Sequence, residues 1–212
     1  MFPKVTLHYF LVPGKRTTIA RGENVKLLLV DAGIEHEYVR HRLDKENWPI
    51  TKKALEDSGY YAATLPYVEI EGKKYGQTVP IMRYICKKLG KYMAKNDEDE
   101  QYLDALSDIS YDWHKKINLT YFASAEVRKA HETTEMVKYL SLFEKVYSDR
   151  EGPYILGEEI TYTDFLIYHL IDDEEQTKKL DAYPSLKKFV ETFEERSNIK
   201  AYLPTLGQNK HL

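Results

Sequence analysis

The side chains with chemistry to offer are scattered along this chain, and each suits an anion or a proton. Tyr9 ends a β-type run over residues 4–11 (KVTLHYFL), where a phenolic hydroxyl at a strand edge can donate to a bound negative charge. Trp48 and Lys52 stand four apart, an indole N–H and an ammonium that both suit a carboxylate. Leu65-Pro66 opens an extended run, the place a proline must take because it has no amide proton to give to a ladder. Gln77 and Thr78 follow Gly76 at the start of a helix, where unpaired amide protons and the helix dipole favour an anion. Plainer roles fit the same residues. Thr78 can simply cap its helix, Lys52 can be a solvated lysine near a packed tryptophan, and Asp112 beside Trp113 can be a solvated acid on an amphipathic helix. Most of the eighteen tyrosines are packing residues.

Composition narrows the partners. The formal net charge is −3 with interspersed signs, so there is no polybasic patch for nucleic acid or for a lipid surface. No apolar stretch approaches the ~20 residues a bilayer needs, and Met1-Phe2-Pro3-Lys4 runs straight into a strand rather than a signal peptide. The single Cys86, inside a helical Ile85-Cys86-Lys87, has no internal disulfide partner, which points to a reducing, cytoplasmic setting. The histidines show no metal-ligand spacing, so the sequence proposes no metal site.

The elements that must position these residues change character near the middle. Residues 24–32 read as a helix closed by Gly33, 37–42 as a second strand, and 65–75 as a hairpin turning at Glu71-Gly72. Residues 79–89 read as a helix ending at Gly90, and the segment after Trp48-Pro49 as irregular helix and loop. The order β-α-β-loop-β-β-α is an α/β layer. Residues 91–100 are charged and read as a linker, and residues 101–212 as all-helical. There Val127, Ala130, Met136, Val137, Leu140, Phe143 and Val146 recur at helical spacing as a core-facing stripe. Thr161-Tyr162-Thr163-Asp164 has the form of a capping box, and Pro184 opens a last helix.

Taken in order, Tyr9-Phe10, Trp48-Pro49, Leu65-Pro66-Tyr67-Val68, Gln77-Thr78, Asp112 and Thr161-Tyr162-Thr163-Asp164 resemble the cytosolic glutathione transferases, of the tyrosine type and most like the sigma members. The resemblance implies a thioredoxin-like glutathione-binding domain over residues 1–90, a linker over 91–100 and an all-helical domain over 101–212 carrying the electrophile pocket. It implies glutathione as co-substrate, a hydrophobic electrophile as partner and a homodimer. Tyr9 would stabilise the glutathione thiolate, helped by the positive charge of Arg21. Leu65, preceding a cis-Pro66, would pair its backbone with the cysteinyl unit. Gln77 and Thr78 would hold the γ-glutamyl carboxylate, Trp48 and Lys52 the glycyl carboxylate, and Asp112 would reach the γ-glutamyl ammonium across the dimer. Leu11, Val12, His114 and Ile117 would line the electrophile pocket.

The chain also departs from that pattern. The loop after Tyr9-Phe10 is longer, with Pro13-Gly14-Lys15-Arg16-Thr17-Thr18, residues are inserted around Ser58-Gly59-Tyr60-Tyr61, and Thr64 replaces the usual lysine or glutamine. Two further readings stay open beside conjugation: a glutathione-dependent isomerase or peroxidase, and a binding or structural member of the fold with a weakened thiol site.

Overall fold

The computed structural model describes residues 2–11, 18–42, 44, 46–61 and 63–206. The chain divides into two compact units, one running to Gly90 and taking in the segment from Ser197, the other spanning Lys91–Arg196.

The first unit follows the order β1 (Val5–Phe10), α1 (Gly22–Asp31), β2 (His36–His41), α2 (Asn47–Asp57), β3 (Tyr67–Ile70), β4 (Lys73–Gly76) and α3 (Thr78–Leu89). Its sheet has the order β2-β1-β3-β4, with β1 parallel to β2 and antiparallel to β3. A parallel pair needs a crossover, which α1 supplies. Side chains of a strand alternate between faces, so Val5, Leu7 and Tyr9 are buried while Thr6, His8 and Phe10 are half-buried on the other side. The β3–β4 hairpin turns through Glu71 (φ +50°) and Gly72 (φ +75°), the left-handed pair that a two-residue hairpin requires. Segment α2, which the sequence leaves irregular, is a helix. Leu55 is its one buried residue, so it presents no apolar period to read.

The second unit comprises α4 (Asp97–Asn118), α5 (Ala125–Thr133), α6 (Glu135–Ser148), α7 (Tyr162–Asp173) and α8 (Pro184–Glu194). Its first helix begins inside the expected linker: Asn96 Oδ1 accepts the Asp99 N–H at 2.8 Å, and the acids that follow sit in the first turn, where the helix dipole favours them. The stripe expected over Val127 to Val146 is split at Thr134 (φ −123°, ψ −77°). The Thr133 and Thr134 hydroxyls bond back to the Lys129 and Ala130 carbonyls, and the break shifts the helical register. Val127 and Val137 are left 50% and 42% exposed, while Leu140 and Phe143 are buried as the stripe expects, joined on α6 by Tyr139 and Tyr147. Helix α7 is buried along its whole length. Trp113 of α4 stacks on Tyr139 with ring centroids 5.4 Å apart.

A last helix, α9 (Ser197–Tyr202), which the sequence reading places in the helical domain, packs in the first unit. Asn198 Nδ2 donates to the Asp31 carbonyl at 3.1 Å and the Tyr202 hydroxyl to Glu23 at 2.6 Å. No helix among the described residues is long and apolar enough to cross a membrane.

The capping box at α7 is present in full. The buried Asp164 carboxylate accepts bonds from Thr161 N (2.7 Å), Thr161 Oγ1 (2.8 Å), Ile155 N (3.0 Å) and Tyr147 Oη (2.9 Å). Burial pushes this carboxyl up to about 6 against the pull of those bonds. Replacing Asp164 by Ala strands buried donors on two elements, at a cost of about 3 kcal/mol. Thermal unfolding of Asp164→Ala should therefore shift down by about 6–12 °C.

Candidate active site

Tyr9 is 7% exposed and lies in one cluster with Ala20, Leu55, Ala63, Leu65 and Tyr67. Phe10, Ile19, Tyr38, Trp48 and Tyr60 pack around it. The chain enters α1 through Ala20, at φ +63°, and the next amide, that of Arg21, donates to the Tyr9 hydroxyl oxygen at 3.2 Å. Gly22 follows, and a Cβ there would stand 2.2 Å from Tyr38 Oη and 2.6 Å from Tyr9 Cγ. The first turn of α1 can approach the two phenols because it has no side chain at that point.

A layer of residues absent from the sequence reading supports this arrangement. The Arg40 guanidinium lies 3.6 Å over the Tyr38 ring and donates to Glu23 Oε1 at 3.0 Å and to the Phe10 carbonyl at 3.3 Å. The Tyr202 hydroxyl takes the other Glu23 oxygen. Burial holds the Tyr38 phenol well above its usual range. The available signal was Tyr38 and Arg40 two apart on one face of β2. On the opposite face of β1, His8 Nδ1 is 3.0 Å from His41 Nε2, and Tyr67 stacks on the His8 ring with centroids 4.2 Å apart. Burial lowers His8 to about 4 and lowers His41 as well, so this pair is neutral at physiological pH.

Trp48, near the start of α2, meets Phe10 edge-on with centroids 5.5 Å apart. One turn on, the exposed Lys52 pairs with Glu56 at 3.7 Å. Leu65 is buried within the Tyr9 cluster, and the Leu65–Pro66 peptide bond is cis. Tyr67 then begins β3 and pairs with Gly76 of β4. Gln77 leaves that strand at φ +70°, exposed, and Thr78 opens α3. Among the described residues the Thr78 hydroxyl oxygen is buried and meets no hydrogen-bond partner, so it does not cap α3. The Tyr60 hydroxyl is a second such oxygen, and it would sit 1.9 Å from a Cβ on Gly76. Two unpartnered hydroxyls thus flank the start of a helix whose first amides point outward. Tyr60 was seen in the sequence only as part of an insertion.

Asp112, His114 and Ile117 belong to the second unit. Asp112 is exposed on α4 and pairs with Lys115 at 3.0 Å. His114 and Ile117 are 5% and 2% exposed within the helical unit. Leu11 is half-buried just beyond β1, its N–H on the His41 carbonyl at 2.7 Å. Val12 and the loop that follows it, over 13–17, lie outside the described residues.

Comparison with known proteins finds relatives along nearly the whole chain. Residues 111–205 match the family described as glutathione S-transferase, C-terminal domain. The chain is 30% identical over 214 residues to glutathione S-transferase 2 of Manduca sexta, covering 95% of this chain and 96% of that protein. It is 27% identical over 203 residues to glutathione S-transferase P 10 of Caenorhabditis elegans, covering 93% and 89%. Among solved structures, the Pi-class glutathione S-transferase of Onchocerca volvulus superposes with a TM-score of 0.77 at 24% identity, over 95% of this chain and 92% of that one. Prostaglandin synthase D of Nilaparvata lugens gives 0.74 at 23% identity, over 95% and 98%. These structural likenesses speak to the fold, a thioredoxin-like unit with an all-helical one.

The contact between Gly22 and the two phenols can be tested directly. Gly22→Ala must push Tyr9 or Tyr38 from its place, with an overpacking cost of about 1–3 kcal/mol. A lowered melting temperature together with an altered near-ultraviolet tyrosine circular dichroism signal is the expected result.

Proposed function

The chain belongs to the glutathione S-transferase family, and from that premise we propose that it conjugates the glutathione thiolate to hydrophobic electrophiles with Tyr9 as the catalytic residue. The observation that carries this reading is the Tyr9 hydroxyl, held by the Arg21 amide inside the cluster that also contains Leu65 and Trp48. A free thiol near ~8.5 is only a few per cent ionised at neutral pH, and lowering it by about two units needs roughly 2.7 kcal/mol of preference for the anion. A hydrogen bond to a charged group supplies about 1.5–3 kcal/mol. With its oxygen already accepting an N–H, the Tyr9 hydroxyl is polarised to donate its own proton to the sulfur. The Arg21 charge adds to the stabilisation of the thiolate.

The tripeptide lies along the first unit. Its γ-glutamyl carboxylate takes the α3 N-terminus, with Gln77 and the Thr78 hydroxyl, and its cysteinyl backbone pairs with Leu65 beside Pro66. Its glycyl carboxylate goes to Trp48 and to Lys52, which exchanges Glu56 for it. The chain works as a cytoplasmic homodimer of the tyrosine type and sigma-like branch, in which the exposed Asp112 of one copy serves the γ-glutamyl ammonium held by the other. Leu11, half-buried just beyond β1, faces the electrophile. A second reading, a glutathione-dependent isomerase, is favoured by the fold likeness to a prostaglandin synthase.

Conjugation of glutathione to a chloronitrobenzene tests the assignment. Tyr9→Phe should lower kcat/KM by about tenfold or more while glutathione affinity persists, the signature of an interaction made to the thiolate. Thr78→Val should raise the KM for glutathione by about ten- to hundredfold, the worth of one hydrogen bond to a carboxylate. Native protein that binds glutathione without conjugating it would move the assignment to the isomerase or a binding module. Absence of glutathione binding would sink the site.

A further inference from the structure

Inside the helical unit, His114 of α4 faces His169 and Asp173 of α7, all three buried at 5%, 0% and 4% exposure. His169 and Asp173 are four apart and share a helix face, and the His114 and His169 rings stand 6.2 Å apart. One ligand atom from each residue lies within 4.8 Å of the others. We propose that His114, His169 and Asp173 form a binding site for a divalent transition metal, zinc first, that cross-links α4 to α7.

Two features beyond convergence favour this. Outer partners are in place: the Asn118 amide meets His114 Nδ1 at 3.1 Å and the Tyr121 hydroxyl donates to Asp173 Oδ2 at 2.5 Å. The facing atom is Asn118 Nδ2, and a 180° turn of this amide would let its oxygen accept Nδ1–H and direct Nε2 to the metal. The second feature is charge. Helix α7 ends in the buried Asp172 and Asp173, at the negative end of its dipole, with no basic residue in the last turn. The adjacent Glu174 is taken by Trp113 Nε1 at 3.0 Å and His131 at 2.7 Å. Buried carboxylates there are costly, and a divalent cation offsets them.

Two imidazoles and one carboxylate suit zinc better than magnesium or calcium. With metal–ligand bonds near 2.0–2.1 Å, the ligand atoms of a tetrahedral site stand about 3.4 Å apart, so binding draws these side chains together by roughly 1 Å. The sequence shows no such motif because His114 and His169 come from helices far apart in the chain.

Protein stripped with EDTA and dialysed against micromolar zinc should take up one zinc per chain. Its melting temperature should rise by about 5–10 °C when free zinc is in large excess over the dissociation constant. His114→Gln and Asp173→Asn should each weaken zinc binding at least tenfold. Long-range proton–nitrogen spectra of the histidine rings in the native protein keep the test decisive if either variant fails to fold: zinc should move the His114 and His169 signals and leave those of His8 and His41. No zinc uptake would overturn the proposal, as would uptake that leaves the His114 and His169 signals unmoved or survives both substitutions.

Discussion

The approach of α1 to the end of β1 is the contact on which the first unit depends. Tyr9 and Tyr38 stand on neighbouring parallel strands, and Gly22 lets the first turn of the helix close over both. Because the helix comes that near, the Arg21 amide reaches the Tyr9 hydroxyl, and Arg40, lying over the Tyr38 ring, partners the buried Glu23 carboxylate behind the phenols. Rigid elements on either side hold the Tyr9 ring within its buried cluster.

The second unit rests on a different constraint. Helix α7 is buried on every side, so its polar groups must be satisfied internally or remain costly. At its N-terminus the Asp164 carboxylate gathers the amides and hydroxyls of the capping box and of Tyr147. At its C-terminus buried acids meet Trp113, His131, Tyr121 and the two facing histidines. The same helix thus carries a satisfied carboxylate at one end and a concentration of ligating groups at the other.

What the sequence determined by itself are the features set by local chemistry. Glycines at helix ends, the Glu71-Gly72 turn, the period-two burial of β1 and the Thr161-Asp164 box all depend on residues a few positions apart, and the structure has each of them. The ordered set of Tyr9, Leu65-Pro66 and Gln77-Thr78 was legible for the same reason, since each residue ends or begins an element whose type its neighbours dictate. The readings that the structure bears out only in part lack such a signal or lose it. Helix α2 buries a single residue and has no period to show, and the Val127 stripe crosses a break made by two threonine hydroxyls bonding backward.

Tertiary structure alone decided which distant side chains meet. Glu23, Arg40 and Tyr202 come from α1, β2 and α9, and nothing in their spacing announces that one carboxylate will bind both of the others. His114 reads from the sequence as a pocket residue and lies instead buried against α7. Helical periodicity says which face of a helix is apolar, but the partner that a polar residue on that face will meet is set by how the helices pack, and packing depends on the shapes of all the side chains between them.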